Sequence, residues 1–488
     1  MQRHPLALAA ALVLAACTTT KSEVDPWSLD AVAFSAAFQA RFNYPLPKPE
    51  PKELADQAAG QAADAEYLLS FADYDKSYSP TAREEARAKL KRLRADAASL
   101  SHDEFTLRVS EITALADNAH TGINENSFRK NTARVPLRVY WFADGLRILR
   151  ASPAQADLLG ARIDAIDGRT LAQVHASIRR YVGGPDNYRR LRLTPMLESP
   201  GLLNAAGVAN EKAALTISGV KADGTPFERR IEAQMRDRSA PVSSTPRVVF
   251  PVETPNAEGL RSFLDDGARL PLWLRDRKHL FTMSGLDNGG LYVALGFNND
   301  ADERRVSHFL TDVLARVVRD KTRFVVLDFR LNGGGNYTRT YPFMGALLEV
   351  LGEDGRVYAL TSGWTFSAAI TTVGELKTLG RKQVTLVGEP VGDRLDFWAE
   401  GNSFVLPNSF MTVHYCSARH DYHGRCTDPD CFWLNMFYPV HVDTLDPDVP
   451  APLTFAAYRE LRDPAMEAVM AQEAKAPATP QPKPAMHH

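Results

Sequence analysis

The sequence predicts a multidomain α/β protein whose C-terminal region is built from strand–helix–strand units. Residues 324–327 form a short apolar run rich in β-branched residues, typical of a strand buried on both faces, and 357–360 form a second apolar run. Between them, 341–350 is long and apolar enough for a crossover helix. A strand, a helix and a strand in this order form a βαβ unit, whose ligands bind outside the carboxyl ends of the strands. Helical periodicity before residue 116 and strand alternation after Pro136 predict a helical domain and a β-rich module ahead of this core.

The N-terminus is predicted to be an export signal. Arg3 precedes an apolar run too short to span a bilayer, and small residues lead to Cys17. This segment resembles a bacterial lipoprotein signal, in which Cys17 is lipidated and becomes the new N-terminus. An ordinary cleaved secretory signal is the alternative. Thr18 resembles the sorting signal of outer-membrane lipoproteins, so we expect a lipid-anchored protein of the bacterial cell envelope that faces the periplasm.

Composition limits the classes of partner. The 488 residues exceed one hydrophobic core and indicate two or three domains. Hydrophobic residues at 44% and charged residues at 24% are ordinary for a soluble globular chain. The net charge is −2 and no basic stripe is present, so we expect no nucleic-acid partner. No later apolar run is long enough to span a membrane, which leaves the lipid as the expected attachment.

The first domain, 27–131, is predicted to be helical. Thr81 and Ser101 each precede a glutamate by three residues, which is the spacing of a capping box. Apolar residues repeat at helical spacing through 105–116 and should face a core. His120 follows this last helix; a lone histidine is more often structural than catalytic.

The second domain, 132–235, reads as strands. Alternation through 146–149 and 161–166 ends on the turn Asp167-Gly168, and a helix and a returning strand follow. L-L-G-A-R-I-D-A-I-D-G-R-T-L resembles the middle of a PDZ module. The carboxylate-binding loop of that module is not found, so peptide capture and a purely structural role both stay open.

The chemistry is predicted where the two core strands end. Glycines 333–335 allow the backbone to approach a ligand closely, and Ser367 opens a helix just past the second strand. Because both lie past carboxyl ends of strands, they should meet in one crevice. The Ala368 N–H and an N–H of the glycine loop are suited to holding an oxyanion. A structural glycine turn with a capping serine is the competing interpretation.

The motifs D-F-R-L-N-G-G-G, L-T-S-G-W-T-F-S-A-A and V-G-E-P-V-G-D resemble the peptidase core of the C-terminal processing protease and tricorn-core family. The resemblance implies that Ser367 is the nucleophile, that Gly334 and Ala368 form the oxyanion hole, and that neither metal nor organic cofactor is needed. One branch of the family uses a lysine base after the V-G-E segment. Here that loop, 392–394, contains no lysine. A-L-A-D-N-A-H-T-G resembles the histidine segment of the tricorn-like branch and nominates His120 as the base.

Two departures from the tricorn-like pattern leave the partner of the histidine open. Ala119 stands where those members have a serine, and no glutamate precedes the closing P-D segment. Asp117 and Asp443 are the candidates for orienting His120. The departures also favour the alternative function, a catalytically inactive member that binds a ligand or peptide.

Three cysteines and three histidines lie close together near the end of the core. The spacings of Cys416, Cys426 and Cys431 match no zinc pattern, and an exported chain favours a disulfide between two of the three. Which two pair is open. A metal-dependent function of this segment is a further alternative.

The sequence thus predicts a lipid-anchored serine peptidase acting on polypeptides or peptides outside the cytoplasm. Its predicted regions are 1–16 signal peptide, 17–26 lipidated tether, 27–131 helical domain with the histidine segment, 132–235 PDZ-like module, 236–247 linker, 248–472 serine peptidase core and 473–488 disordered tail.

Overall fold

The computed structural model describes residues 56–475 except 237, 238, 240–243, 252–257, 265–268, 277, 302, 303, 425 and 427. The predicted signal, Cys17, the tether and the start of the helical domain lie outside the described residues, as does most of the predicted tail. Within the described part of the chain, none of the helices combines the length and apolar character needed to cross a membrane.

The first described region is helical, as predicted. Its elements are α1 Gln57–Leu68, α2 Phe71–Tyr74, α3 Pro80–Asp96, α4 His102–Ala114, β1 Gly122–Ile123 and α5 Glu125–Asn131. A capping box between Ser101 and Glu104 starts α4, as the spacing predicts. The box predicted at Thr81 is wrong: Ser79 caps α3, and Pro80 takes the first helical position, where its fixed φ suits a helix start.

The second region is an antiparallel sheet with short helices. Its elements are β2 Leu137–Phe142, β3 Gly145–Ala151, β4 Arg162–Ile166, β5 Arg169–Thr170, α6 Leu171–Ile178, α7 Asp186–Arg192, α8 Pro200–Ala205, β6 Ala214–Val220, β7 Pro226–Glu232 and β8 Arg261–Ser262. The strands run in the order β2-β3-β4-β6-β7, with β5 beside β4 and β8 beside β3. The sheet therefore also recruits a strand from beyond the predicted linker.

The third region carries the parallel sheet. Its elements are α9 Leu272–Arg275, β9 Phe281–Gly285, β10 Gly290–Leu295, α10 Val306–Asp320, β11 Phe324–Asp328, α11 Tyr341–Leu351, β12 Arg356–Thr361, α12 Ala368–Gly380, β13 Val384–Gly388, β14 Asp396–Ala399, β15 Asn402–Val405, β16 Thr412–Tyr415, β17 Ala418–Asp421, β18 Val449–Pro450, α13 Phe455–Arg459 and α14 Pro464–Lys475. The sheet order is β18-β13-β12-β11-β10-β9, and only the edge strand β9 is antiparallel. The predicted βαβ unit is confirmed as β11–α11–β12.

Both faces of this sheet are covered, which explains the continuous apolar strands. Val325 and Leu327 of β11 pack in one cluster with residues of α10, α11 and α12. Phe324 and Val326 of the same strand point to the other face and pack with Ala465 of α14. Because β11 and β12 are parallel neighbours, their carboxyl ends lie at the same edge of the sheet, where the chain turns into α12.

Helix α14 runs to Lys475, three residues into the region predicted as tail. Glu473 is buried, and its carboxylate accepts hydrogen bonds from Arg356 (2.6 Å) and from the Tyr358 hydroxyl (2.8 Å). These are contacts with β12, so the end of the fold is fixed by a strand far away in the sequence rather than by local composition.

Two small sheets fold over the carboxyl end of the parallel sheet, β1-β16-β15 and β14-β17. Strand β1 follows directly after His120 and pairs with β16. Apolar residues of α3 and α4 share a core cluster with Phe404, Val413 and Tyr415 of the β15–β16 pair. The helical domain is thereby fixed against the core, and the loop carrying His120 is brought over the turn that leads into α12.

Candidate active site

Ser367 lies at the turn between β12 and α12 in a backbone conformation that few side chains adopt. Its φ is 55° and its ψ is −129°, and it caps α12 without a side-chain hydrogen bond. Such a conformation costs on the order of 1–3 kcal/mol and persists only where the surroundings impose it. Here the Phe366 N–H donates to the Asn332 carbonyl (3.0 Å), and the Thr365 hydroxyl donates to the Phe329 carbonyl (2.9 Å). A serine on a strained strand-to-helix turn is typical of a nucleophile.

The glycine loop contacts Ser367 directly, so the predicted crevice is confirmed. Gly334 has a φ of +116°, and a Cβ built on it would lie 2.7 Å from Ser367 Cβ and 3.2 Å from Ser367 Oγ. Only glycine fits this position. The loop is held by Asn332, whose Nδ2 donates to the Leu295 carbonyl (2.9 Å) and whose Oδ1 accepts from the Gly334 N–H (2.9 Å).

That last hydrogen bond bears on the predicted oxyanion hole. The Gly334 N–H is already used by Asn332 Oδ1, and it is therefore not free in this conformation. Ala368 occupies the first position of α12, where an N–H has no partner within its helix. The next loop residue, Gly335, lines the same cavity as Ser367 and Ala368, and its N–H makes no hydrogen bond among the described residues. The sequence motif alone does not show which of the two adjacent glycines, Gly334 or Gly335, keeps a free N–H.

The His120 imidazole lies between two aromatic rings, with its side chain 13% exposed. Its imidazole stacks on Phe366, with ring centroids 4.2 Å apart, and on Phe397, with centroids 5.3 Å apart. Nδ1 lies 3.2 Å from Oδ2 of Asp393, a carboxyl group whose side chain is only 1% exposed. Neither ring nitrogen has a hydrogen-bond partner of good geometry in the described part of the chain. One nitrogen faces a carboxylate and the other, Nε2, is left to accept a proton.

Asp393 was missed by the sequence reasoning. It lies in the loop after V-G-E, at the place where the other branch of the resembled family has its lysine base. An acid in this loop could have been predicted from the sequence as the partner of a histidine base. Of the two residues that were nominated, Asp117 instead pairs with Arg189 and Arg394, and Asp443 is exposed; within the described residues neither forms an ion pair with His120.

The loop carrying His120 is fixed by neighbours from three parts of the chain. Asn118 bonds the backbone of Trp398 twice, through Nδ2 to the carbonyl (3.0 Å) and through Oδ1 from the N–H (3.1 Å). The Tyr188 hydroxyl donates to the Ala119 carbonyl (2.7 Å), and the Thr121 hydroxyl donates to Asp75 (2.7 Å). Burial raises the pKa of Asp75, and the hydrogen bonds it accepts act in the opposite direction. These anchors hold the imidazole beside the turn that carries Ser367.

No hydrogen bond joins His120 to Ser367 in this structure. The two residues are connected through Phe366, which precedes Ser367 in the chain and stacks on the imidazole. Catalytic hydrogen bonds of unliganded enzymes are often long and tighten only with substrate. Ser367 and His120 therefore lie beside the same turn without a hydrogen bond between them.

A cavity of about 210 Å³ opens at Ser367. Its lining is mostly aromatic and apolar, with one carboxylate and one imidazole among it. The lining residues are Gly335, Asn336, Tyr337, Ser367, Ala368, Thr371, Phe397, Ala399, Glu400, His420, Phe432 and Leu434. The cavity therefore lies between the glycine loop, the start of α12 and the small β14–β17 sheet.

The cysteine–histidine segment is split between several contacts. Cys426 and Cys431 form a disulfide, which confirms the predicted bond and settles its pairing. Cys416 is buried and free, and burial raises the pKa of its thiol well above the usual value. His414 is half-buried, and its desolvation together with the charges of neighbouring Arg192 and His120 lowers its pKa to about 4. The disulfide removes two of the thiolates on which the metal interpretation depended.

A serine on a strained turn, a glycine loop against it and a histidine–aspartate pair beside it are groups of the kind from which serine hydrolases build their sites. Comparison with solved structures identifies the fold more specifically. Mature CPAF complexed with lactacystin has a TM-score of 0.51 and 11% identity, covering 86% of this chain and 98% of its own. Mature CPAF alone gives the same score and identity over 85% and 96%. The photosystem II D1 C-terminal processing protease aligns over 86% of this chain and 97% of its own at 13% identity, with a TM-score of 0.35.

The chain therefore has the fold of CPAF, and the multidomain α/β fold predicted from the sequence is confirmed. Searches by sequence alone matched no family model and no curated protein.

Proposed function

We propose that this protein is a serine peptidase in which Ser367 is the nucleophile and His120 the general base. The observation that carries the proposal is the strained turn at Ser367, pressed against Gly334 and flanked by the His120–Asp393 pair. A serine hydroxyl is a poor nucleophile alone, and a neighbouring imidazole oriented by a carboxylate is the standard means of activating it.

The chemistry assigns one role to each group. His120 Nε2 takes the proton of the Ser367 hydroxyl as Oγ attacks the carbonyl carbon of the peptide bond. The Asp393 carboxylate stabilises the imidazolium that results, and the Ala368 and Gly335 N–H groups receive the oxyanion. The imidazolium then gives its proton to the leaving amine, which departs and leaves an acyl ester on Ser367. Water, deprotonated by the same imidazole, hydrolyses the ester and regenerates the enzyme.

The proposed reaction requires Ser367 and His120 to come closer together when substrate binds. Since Ser367 and His120 are not hydrogen-bonded in the free protein, binding has to bring Oγ and Nε2 into reach. Peptides or polypeptides are the proposed substrates because the cavity lies open beside Ser367 and the fold is shared with CPAF. We also propose, from the resemblance of the N-terminus to a lipoprotein signal, that lipidated Cys17 holds the enzyme at the outer membrane, facing the periplasm.

The test is active-site labelling with a fluorophosphonate, combined with turnover of a broad peptide library. We expect wild-type protein to label and to cleave. Ser367→Ala should abolish both with little change in thermal unfolding, because removing one hydroxyl leaves a small cavity. His120→Ala should reduce turnover by roughly a thousandfold or more.

Lys377→Ala is the matched control for a lysine base. Lys377 lies on the same helix as Ser367, ten residues on, but its ammonium is paired with Asp448. Its loss should leave turnover within a few-fold of wild type. An inactive Lys377→Ala beside an active His120→Ala would reject the assignment of the base.

A binding protein without activity is the second candidate. The missing hydrogen bond between His120 and Ser367, and Ala119 in place of a serine, favour it. Wild-type protein that binds peptides but neither labels nor cleaves would select this function.

A further inference from the structure

The cavity beside Ser367 contains one carboxylate that the reaction does not use. Glu400 lies between β14 and β15 and reaches the cavity wall, with its side chain 33% exposed. Its backbone φ is 56°, an unusual value for a side chain of this size, and its carbonyl accepts a hydrogen bond from the Ser417 hydroxyl. The surroundings thus fix the position from which this carboxylate faces the cavity.

His420 holds the carboxylate in place. His420 Nε2 lies 3.2 Å from Glu400 Oε1, and the imidazole is itself almost fully buried, with its side chain 2% exposed. The opposite nitrogen, Nδ1, lies 3.0 Å from the Tyr422 hydroxyl and 3.3 Å from Asn435 Nδ2. Both ring nitrogens of His420 are therefore occupied, and this histidine is not free to act as a base on Ser367.

The hydrogen-bond network also orients the groups around His420. The Tyr337 hydroxyl donates to Asn435 Oδ1 (3.3 Å), which turns the Asn435 amide nitrogen towards His420 Nδ1. Nδ1 then accepts, and the ring proton is on Nε2, where it is donated to Glu400. The second carboxylate oxygen of Glu400, Oε2, makes no hydrogen bond to a described residue.

The rest of the wall suits a cation. Tyr337 and Phe432 contribute aromatic rings to the cavity lining, and aromatic rings attract ammonium and guanidinium groups. No lysine or arginine lines the cavity among the described residues. An apolar side chain filling this space would bury Glu400 without a counterion, which is costly, whereas a lysine or arginine side chain would pair with it.

We propose that Glu400 is a specificity-determining residue that selects a lysine or arginine side chain of the substrate next to the bond presented to Ser367. The inference rests on the proposed peptidase function for its position beside the scissile bond. It extends that function by naming the substrate class.

The test uses hexapeptides that differ only at one central position, which is arginine, lysine, norleucine or glutamate. We expect wild-type kcat/KM to be greatest for arginine and lysine. Glu400→Gln, which keeps the shape and removes the charge, should lower kcat/KM for the basic peptides by about 10- to 100-fold, the usual worth of a charge-assisted hydrogen bond. The loss should be much smaller for the norleucine peptide, so the ratio of kcat/KM between the arginine and norleucine peptides is the quantity that decides.

Asp396→Asn is the matched control. Asp396 is a carboxylate of the same small sheet, but it is exposed and paired with Arg419 outside the cavity. Its loss should not change the preference for basic peptides. Thermal unfolding of each variant checks that the fold is retained.

A binding experiment separates this inference from the proposed function. In Ser367→Ala protein, fluorescence anisotropy of the labelled hexapeptides should show tighter binding of the basic ones, and adding Glu400→Gln should remove the difference. Selective binding by a wild-type protein that hydrolyses nothing would refute the peptidase but support Glu400 as the selector. Equal affinity for arginine and norleucine peptides, or equal losses for both in Glu400→Gln, would overturn the assignment of Glu400.

Discussion

The sharpest prediction concerns Asp393, which no motif nominated. Its carboxylate lies 3.2 Å from His120 Nδ1 and is almost completely buried. Coulomb's law at an effective dielectric constant of about 20 gives an attraction of about 5 kcal/mol between an imidazolium and a carboxylate at this distance. That attraction exists only after His120 has taken the proton, so it stabilises the transition state and not the ground state.

Asp393→Asn should therefore lower kcat by roughly 10³- to 10⁴-fold, since each 1.36 kcal/mol is worth about tenfold in rate. KM should change little, because Asp393 does not line the cavity. The assay is steady-state hydrolysis of a peptide cleaved by the wild type, together with the rate of fluorophosphonate labelling.

Asp117→Asn is the control, because Asp117 is the nearest acid in sequence and its exposed carboxylate forms ion pairs with Arg189 and Arg394. Asparagine also tolerates the positive φ of 48° at this position. Turnover should stay within a few-fold of wild type. A large loss in Asp117→Asn with near-normal kcat in Asp393→Asn would refute the reasoning.

Two further predictions concern the stability of the protein and its lipid attachment. Glu375 of α12 is fully buried with both carboxylate oxygens unpartnered, and burial raises its pKa well above the ordinary value of 4.5. Between that value and the raised pKa the folded state binds the extra proton, so the free energy of unfolding should fall as pH rises, by about 1.4 kcal/mol per pH unit. Glu375→Gln should remove this decline in urea unfolding between pH 5 and 8, and an unchanged pH dependence would show that Glu375 titrates normally. Cys17→Ser should abolish incorporation of a fatty-acid analogue, whereas unchanged labelling of the mutant would reject the lipoprotein assignment.

Local patterns in the sequence determined the central part of this fold. The β-branched run before Asp328, the apolar crossover helix and the helix after Ser367 are each written in the spacing of neighbouring residues, and each forms as predicted. The same is true of the capping box at Ser101. Such features depend on interactions within one or two turns or along one strand, which a linear sequence displays directly. The crevice of Gly334 and Ser367 also followed, because carboxyl ends of adjacent parallel strands must meet.

Tertiary structure alone decided which distant groups meet. The partner of His120 is Asp393 rather than Asp117, because the helical domain packs on the β15–β16 pair and places the histidine loop over the loop that follows β13. Asn332 Oδ1 holds the Gly334 N–H, a choice between adjacent amides that depends on loop conformation. His420 lies on β17 and Glu400 directly follows β14, and the antiparallel pairing of these two strands brings the two side chains together. The His120–Asp393 contact is selected by packing between regions far apart in the chain, whereas the Asn332–Gly334 and His420–Glu400 contacts depend on how a short loop and a strand pair fold, and the spacing of residues does not show any of the three.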